Sequence, residues 1–173
     1  PAQKNPIAIT NATIHTATGT VLNNASIVFE NGKITQINGS IPSNAEVINA
    51  QNKHVYPGFI LVNNTLGLVE ISATNATVDY REANDISPEV RSLISFNTDS
   101  HVIPVIRSNG VLLTQPVLKH GTLSCTSSIM QLDAWNWEDA VVATDNVLHL
   151  SWPEIFRIDD EKRNKEFQTR RTE

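Results

Sequence analysis

The sequence predicts a mixed α and β fold in two parts, and three observations predict it. Up to residue 57 the chain runs in short Ile-, Val- and Thr-rich stretches separated by turn residues, the habit of an all-β region. After Gly58 the apolar run "FILV" shows no polar alternation, which predicts a strand buried on both faces as in a parallel sheet. Helix punctuation then follows, and a second apolar run, "VLLTQPVL", returns as a strand. Residues 1–57 are therefore expected to form a small β domain. Residues 58–173 are expected to open a barrel or a doubly wound sheet with a β–α–β unit.

In the first part "ASIVFENGKITQING" carries the clearest local signal: Ile27 and Phe29 on one face, Val28 on the other, then Asn31-Gly32, which tolerates the positive φ angles of a two-residue turn. A hairpin is predicted there. "EVINAQNKHVYPG" predicts a further strand pair that stops at Pro57-Gly58.

In the second part "ISPEVRSLISFN" predicts a helix with Ser87 as N-cap, Pro88 in its first turn, and Val90, Leu93 and Ile94 at helical spacing. "DSHVIPVIRSNG" predicts another, starting at Asp99 or Ser100, tolerating Pro104 near its first turn and stopping at Gly110. Residues 120–140, Ser/Thr-rich and then aromatic, are expected to form a loop and hairpin over an end of the sheet, with "NVLHL" a further short strand. From Glu154 six acidic and six basic residues cancel around Ile155, Phe156, Ile158 and Phe167, predicting an amphipathic helix with a solvated face.

Composition narrows the function classes. With 173 residues, 40% of them apolar, the chain can bury one respectable core. Thirteen basic against eighteen acidic residues, with no basic stripe, argue against a nucleic-acid partner. No apolar run approaches the ~20 residues that span a bilayer. Cys125 stands alone, so no intrachain disulfide and no thiolate metal cluster is expected. The chain opens on Pro1 without an apolar leader, which reads as a processed mature protein or a piece prepared for expression.

A small β region ending in "YPGFI" and followed by an α/β segment resembles the N-terminal part of the amidohydrolase superfamily, particularly its imidazolonepropionase-like branch. Residues 97–140, with "GTLSCTSS" and "DAWNWEDA", resemble secreted bacterial amidohydrolase-like proteins, and the likeness extends to about residue 153. The resemblance implies a small N-terminal β-sandwich part, normally completed by C-terminal strands, followed by the first strands and helices of an incomplete (β/α)8 TIM-like barrel. It implies metal-assisted hydrolysis of a non-peptide C–N bond, and export to the periplasm or beyond, although the residues themselves leave the cytoplasm open. In that family the phrase runs Pro-Gly-x-Ile-Asp-x-His-x-His; here Leu61 stands at the Asp position, and Asn63 and Thr65, flanking Asn64, stand at the two histidine positions. Neutral amide and hydroxyl oxygens are poor substitutes for imidazole, so no metal is expected in this chain, and one zinc or similar ion only in a longer protein. A complete barrel takes ~250 residues, more than the chain holds.

The sequence is thus expected to be a portion of a longer polypeptide or one chain of an assembly, inactive alone. Its partner would be the remainder of the barrel, a second amidohydrolase-like domain or another copy of itself; the alternative reading is a non-catalytic binding and assembly module.

The remaining candidates are weak by pattern. His15, His54, His101, His120 and His149 show no metal-ligand spacing, and His120, beside Gly121 after a strand, is the best placed. Ser127 and Ser128 follow Thr126 in what reads as a small-residue loop with no base near them. Trp135 and Trp137 would share one face if extended, as a lid on the core before an aromatic ligand platform. Asp133, Glu138 and Asp139 read as rim solvation or a cation site, and Arg107 as a partner for Glu82 or Asp85.

Overall fold

The computed structural model describes residues 5–71 and 74–152, and they are mostly β: two mixed sheets with two short α-helices and one 3-10 turn. The chain divides into the units Pro1–Gly58 and Phe59–Glu173. Among the described residues there is no closed barrel, and no helix is long and apolar enough to cross a membrane. The segment from Glu154, where the charge pattern predicts a helix, lies outside the described residues.

The first unit is built on β1 (Ile7–His15), β2 (Val21–Glu30), β3 (Lys33–Ile37), β4 (Glu46–Asn49) and β5 (His54–Val55). Its strand order is β3-β2-β1-β4, with β5 also on β1. The predicted hairpin is the antiparallel β2–β3 pair, closed by Asn31 and Gly32 at φ of 51° and 74°. Asn11, at φ 58°, falls in the register shift between Ile9 and Ala12, because asparagine adopts the left-handed region more readily than other side chains.

The predicted strand pair over 46–55 is corrected. β4 and β5 do not pair with each other; both run parallel to β1, one after the other, with Glu46 opposite Ile7 and His54 opposite Thr13. The intervening turn, in which the Lys53 amide donates to the Ala50 carbonyl at 2.9 Å, jogs the chain without reversing it. Beneath these strands lie Ala12, Ile14, Ala25, Ile27 and Ala50, packed by Ile9, Leu22 and Val55.

The second unit contains β6 (Phe59–Asn64), α1 (Val102–Ser108), β7 (Val111–Pro116), β8 (Leu123–Gln131), α2 (Trp137–Ala140) and β9 (Val141–Leu150), in sheet order β6-β7-β8-β9. β6 and β7 are parallel with α1 between them, so the expected β–α–β unit is present. The helix keeps Pro104 in its first turn, where amide donors are unpaired anyway, and ends before Gly110, whose φ of 87° suits glycine. β8 and β9 then add antiparallel strands.

Three expectations are corrected here. The helix over 87–97 does not form. β7 meets β8 only at Met130 and Gln131, which leaves the first half of β8 without a β7 partner. Residues 86–92 take that place: the Ser87 amide donates to Leu123, Thr126 to Val90 and Ser92 to Thr126, at 2.7 to 3.0 Å. A short helix has little to offer against a row of buried polar backbone groups that must be paired.

Residues 123–131 are likewise no loop over the sheet end but the strand β8, with Ser124, Cys125, Ser127 and Ser128 all buried. β6, finally, is not buried on both faces. Phe59 is 67% exposed, and Ile60 and Val62 are exposed as well: β6 lies at the edge of its sheet, and nothing among the described residues covers these side chains.

Two apolar clusters hold this unit. Leu93, Phe96, Ile103, Met130, Leu132 and Ala140 form one, and Leu68, Val117, Leu118 and Cys125 the other.

Candidate functional site

The C-terminal ends of the parallel strands β6 and β7 frame the candidate site. At the end of β6 the pleat is broken by a register shift between Leu61 and Asn64, and Asn63 sits there at φ 50°. The break gives the two asparagines opposite tasks. Asn64 turns inward: its Nδ2 donates to the Leu61 carbonyl and Thr114 Oγ1, both at 2.9 Å, and lies 3.1 Å from the Gln115 carbonyl, while its Oδ1 accepts from the Leu66 amide at 2.8 Å. This staples β6 to β7.

Asn63 instead lines a pocket of about 360 Å³, together with Lys119, His120, Ser124, His149 and Ser151. Thr65 is not among the pocket's lining residues; it lies past the strand end, where its carbonyl accepts from the Leu68 amide at 3.0 Å. Of the two histidine positions named by the resemblance, one therefore lines the pocket and the other does not.

The wall carrying His120 is braced from outside the sheet. Gly121 has φ 70°, and a Cβ there would run into the Asp85 carbonyl oxygen, so the residue after His120 is tied to glycine on both counts. The same carbonyl accepts from the Thr122 and Leu123 amides at 2.9 and 3.2 Å, and Thr122 Oγ1 donates to the Asp85 carboxylate at 2.9 Å. Asp85 is thus engaged with this loop, and Arg107 pairs elsewhere, with Asp133 at 3.1 Å.

Opposite, β9 supplies His149. Its Nε2 lies 2.7 Å from Ser127 Oγ, in a hydrogen bond whose donor depends on the imidazole tautomer. Burial pushes the His149 imidazole down from its ordinary value, favouring the neutral ring. The sequence places no base near Ser127, and the antiparallel β8–β9 pairing is what brings one, 22 residues along the chain. Ser127 itself is fully buried, so it orients His149 and is not presented to the pocket. Ser128, also fully buried, accepts from the Asp145 amide at 2.9 Å. Cys125 accepts from the Leu118 amide at 3.4 Å, and burial pushes its thiol up, away from the reactive thiolate.

The aromatic block separates. Trp137 packs on the larger apolar cluster, whereas Trp135 is 88% exposed and does not line this pocket. The acidic residues beside them separate too: Asp139 accepts from the Trp135 amide, and Asp133 pairs with Arg107.

Asn63, His120 and His149 do not fit a hydrolytic metal by themselves. Among the described residues no group of three His, Cys, Asp or Glu side chains is close enough to hold an ion.

No protein-family model and no curated protein matches this chain. Among solved structures, an amidohydrolase from Thermotoga maritima MSB8 superposes with a TM-score of 0.78 at 20% identity, over 95% of this chain and 42% of that one. The chain therefore has the fold of a portion of an amidohydrolase and spans less than half of that protein's length. Two prolidase matches are slight: one bound to N-methylphosphonate-L-proline (TM-score 0.34, 19% identity, 38% of this chain and 17% of that) and a putative one from Bifidobacterium longum (0.33, 35%, 44% and 19%).

Proposed function

We propose that this chain is the N-terminal portion of an amidohydrolase-like protein, with residues 1–57 contributing strands to a β-sandwich and residues 58–173 the first strands of a (β/α)8 barrel. The observation that carries the reading is the position of the pocket. It stands at the C-terminal ends of two parallel strands joined through a helix, where folds built from such units place their ligand sites.

On this reading the whole protein hydrolyses a non-peptide C–N bond, and this chain supplies one wall of the site. The Asn63 amide and the His120 and His149 imidazoles bind and orient polar groups of the substrate. Ligands for any hydrolytic metal come from outside the described residues, and the 173-residue chain alone is inactive.

The exposed Phe59, Ile60 and Val62 on β6 mark where the rest of the barrel seats, since an edge strand with apolar side chains on both faces invites another segment. A second reading, a non-catalytic module that assembles with another amidohydrolase-like domain or with its own copy, is favoured by Asn63 and Thr65 at the two histidine positions.

Elemental analysis and an amide-hydrolysis assay on the 173-residue chain, alone and joined to the remainder of its polypeptide, test both. Activity in the joined protein only, together with about one equivalent of zinc or a similar ion beyond whatever the short chain itself binds, is the expected result. Metal and activity in the short chain alone would overturn the first reading. A joined protein without activity and without metal beyond that of the short chain would leave the assembly module.

A further inference from the structure

We propose that His15 and His54 form a two-imidazole site on the first unit for a late first-row divalent metal ion, Cu²⁺ above all. The two residues are 39 apart in sequence, with nothing in their spacing to suggest a site, yet His15 Nε2 lies 2.9 Å from His54 Nδ1. The parallel pairing of β5 with β1 makes the meeting. Thr13 is opposite His54 and Ile14 opposite Val55, so alternation puts Thr13, His15, His54 and Tyr56 on one face of the pair. Ile14 and Val55, on the other face, are held in the apolar cluster beneath and fix that orientation.

The rings are ordered as well as close. Tyr56 stacks on His15 with centroids 4.2 Å apart and planes 13° from parallel, and the two histidine rings are 5.2 Å apart centre to centre. His54 is exposed and His15 partly so, leaving an open side for water.

In the metal-free pair the two nitrogens, 2.9 Å apart with ring centroids 5.2 Å apart, face each other along the hydrogen bond, so to share one ion the rings turn their lone pairs to a common point beside that line. With metal–nitrogen bonds of about 2.0–2.1 Å, nitrogens at that separation subtend an angle of roughly 90°. That angle belongs to the tetragonal geometry preferred by Cu²⁺ and Ni²⁺, and copper stands highest in the general order of affinities. In the metal-free pair one ring donates its N–H to the other. On binding, that proton moves by tautomer exchange through water to the donor ring's second nitrogen, leaving two lone pairs on the ion and no net change in protonation. Waters complete the coordination, since the cluster offers no carboxylate or thiolate as a third donor among the described residues. The site is independent of the amidohydrolase-like reading and needs no hydrolytic activity to be observed.

Titration of the 173-residue chain with Cu²⁺, followed by calorimetry and electron paramagnetic resonance, tests it. One equivalent is expected, with a tetragonal signal split by two nitrogens. His15→Asn or His54→Asn should each weaken binding by about tenfold or more, because loss of even an outer partner of a metal ligand typically costs ~10–100-fold. Undiminished binding in the double variant would overturn the proposal.

A wild-type measurement covers the case in which a variant does not fold. Added Zn²⁺ should shift the imidazole resonances of His15 and His54 in ¹H–¹⁵N spectra. Shifts confined to His101, His120 or His149 would overturn the assignment.

Discussion

β6 and β8 belong to the same four-stranded sheet, and their compositions and burial run opposite ways. β6 begins with "FILV", yet Phe59, Ile60 and Val62 are exposed. β8 reads "LSCTSSIMQ", yet Ser124, Cys125, Ser127, Ser128 and Met130 are buried. Polar burial is tolerable because the hydroxyls find partners: Thr126 Oγ1 donates to the Pro88 carbonyl at 2.9 Å, and Ser127 and Ser128 bond to His149 and Asp145. Apolar exposure at β6 has no such internal resolution. Composition alone therefore does not set burial in this chain, and the apolar side chains of β6 have no cover among the described residues.

The layer that covers β8 carries the largest expected effect. Leu93, essentially buried against Met130 and Phe96, should lose about 2–5 kcal/mol of stability as Leu93→Ala, the usual range for a core leucine. Urea denaturation of wild type and variant measures it; a loss below ~0.5 kcal/mol, the scale of surface substitutions, would mean that residues 86–96 do not pack as a layer on β8.

A smaller effect probes how the same layer is pinned. Ser92 is fully buried and its Oγ donates to the Pro116 carbonyl at 2.8 Å. Ser92→Ala should cost about 1 kcal/mol, since the buried acceptor is left without its partner. Ser95, only partly buried on the same segment, provides the control, and Ser95→Ala should change the denaturation midpoint less than Ser92→Ala.

The pH dependence of stability sharpens the contrast on the β9 side. Burial holds the folded-state value of His149 below that of the unfolded chain, so the unfolded state takes up a proton first as pH falls. Stability from this group is intact above the ordinary histidine value of about 6.5 and declines as pH drops through it, levelling below the lowered folded value. His149→Gln should flatten that part of the stability curve. An unchanged slope between neutral and mildly acidic pH would remove His149 from the account.

Much of the fold is legible in the residues because local signals there agree with position. Asn31-Gly32 specifies its hairpin, and Pro104 and Gly110 bracket α1 by backbone chemistry that tertiary context does not override. The segment 87–97 is misread because Ser87, Pro88 and the spacing of Val90, Leu93 and Ile94 are helix signals, whereas the unpaired first half of β8, distant in sequence, decides its backbone pairing. β8 is misread for a related reason: a Ser/Thr run marks a loop only when nothing covers it. In the candidate site, Asn63 and His120 are visible as residues beside strand ends. His149 is not, because its place beside Ser127 depends on the antiparallel register of β8 and β9. The pairing of His15 with His54 is hidden likewise, since it follows from β5 lying parallel to β1.

The smallest expected change in stability says most about β6. Phe59→Ser and Val62→Ser remove apolar side chains that are already exposed, so each should move the stability of the 173-residue chain by no more than ~0.5 kcal/mol. If the edge seats another segment, the same substitutions should weaken association with the remainder of the polypeptide, or with a second copy, by far more, because there the side chains pass from water into an interface. Sedimentation analysis of mixtures measures association and urea titration measures stability. Association lost with stability kept places β6 at an interface, and stability lost instead would show that Phe59 and Val62 already serve this unit's own core.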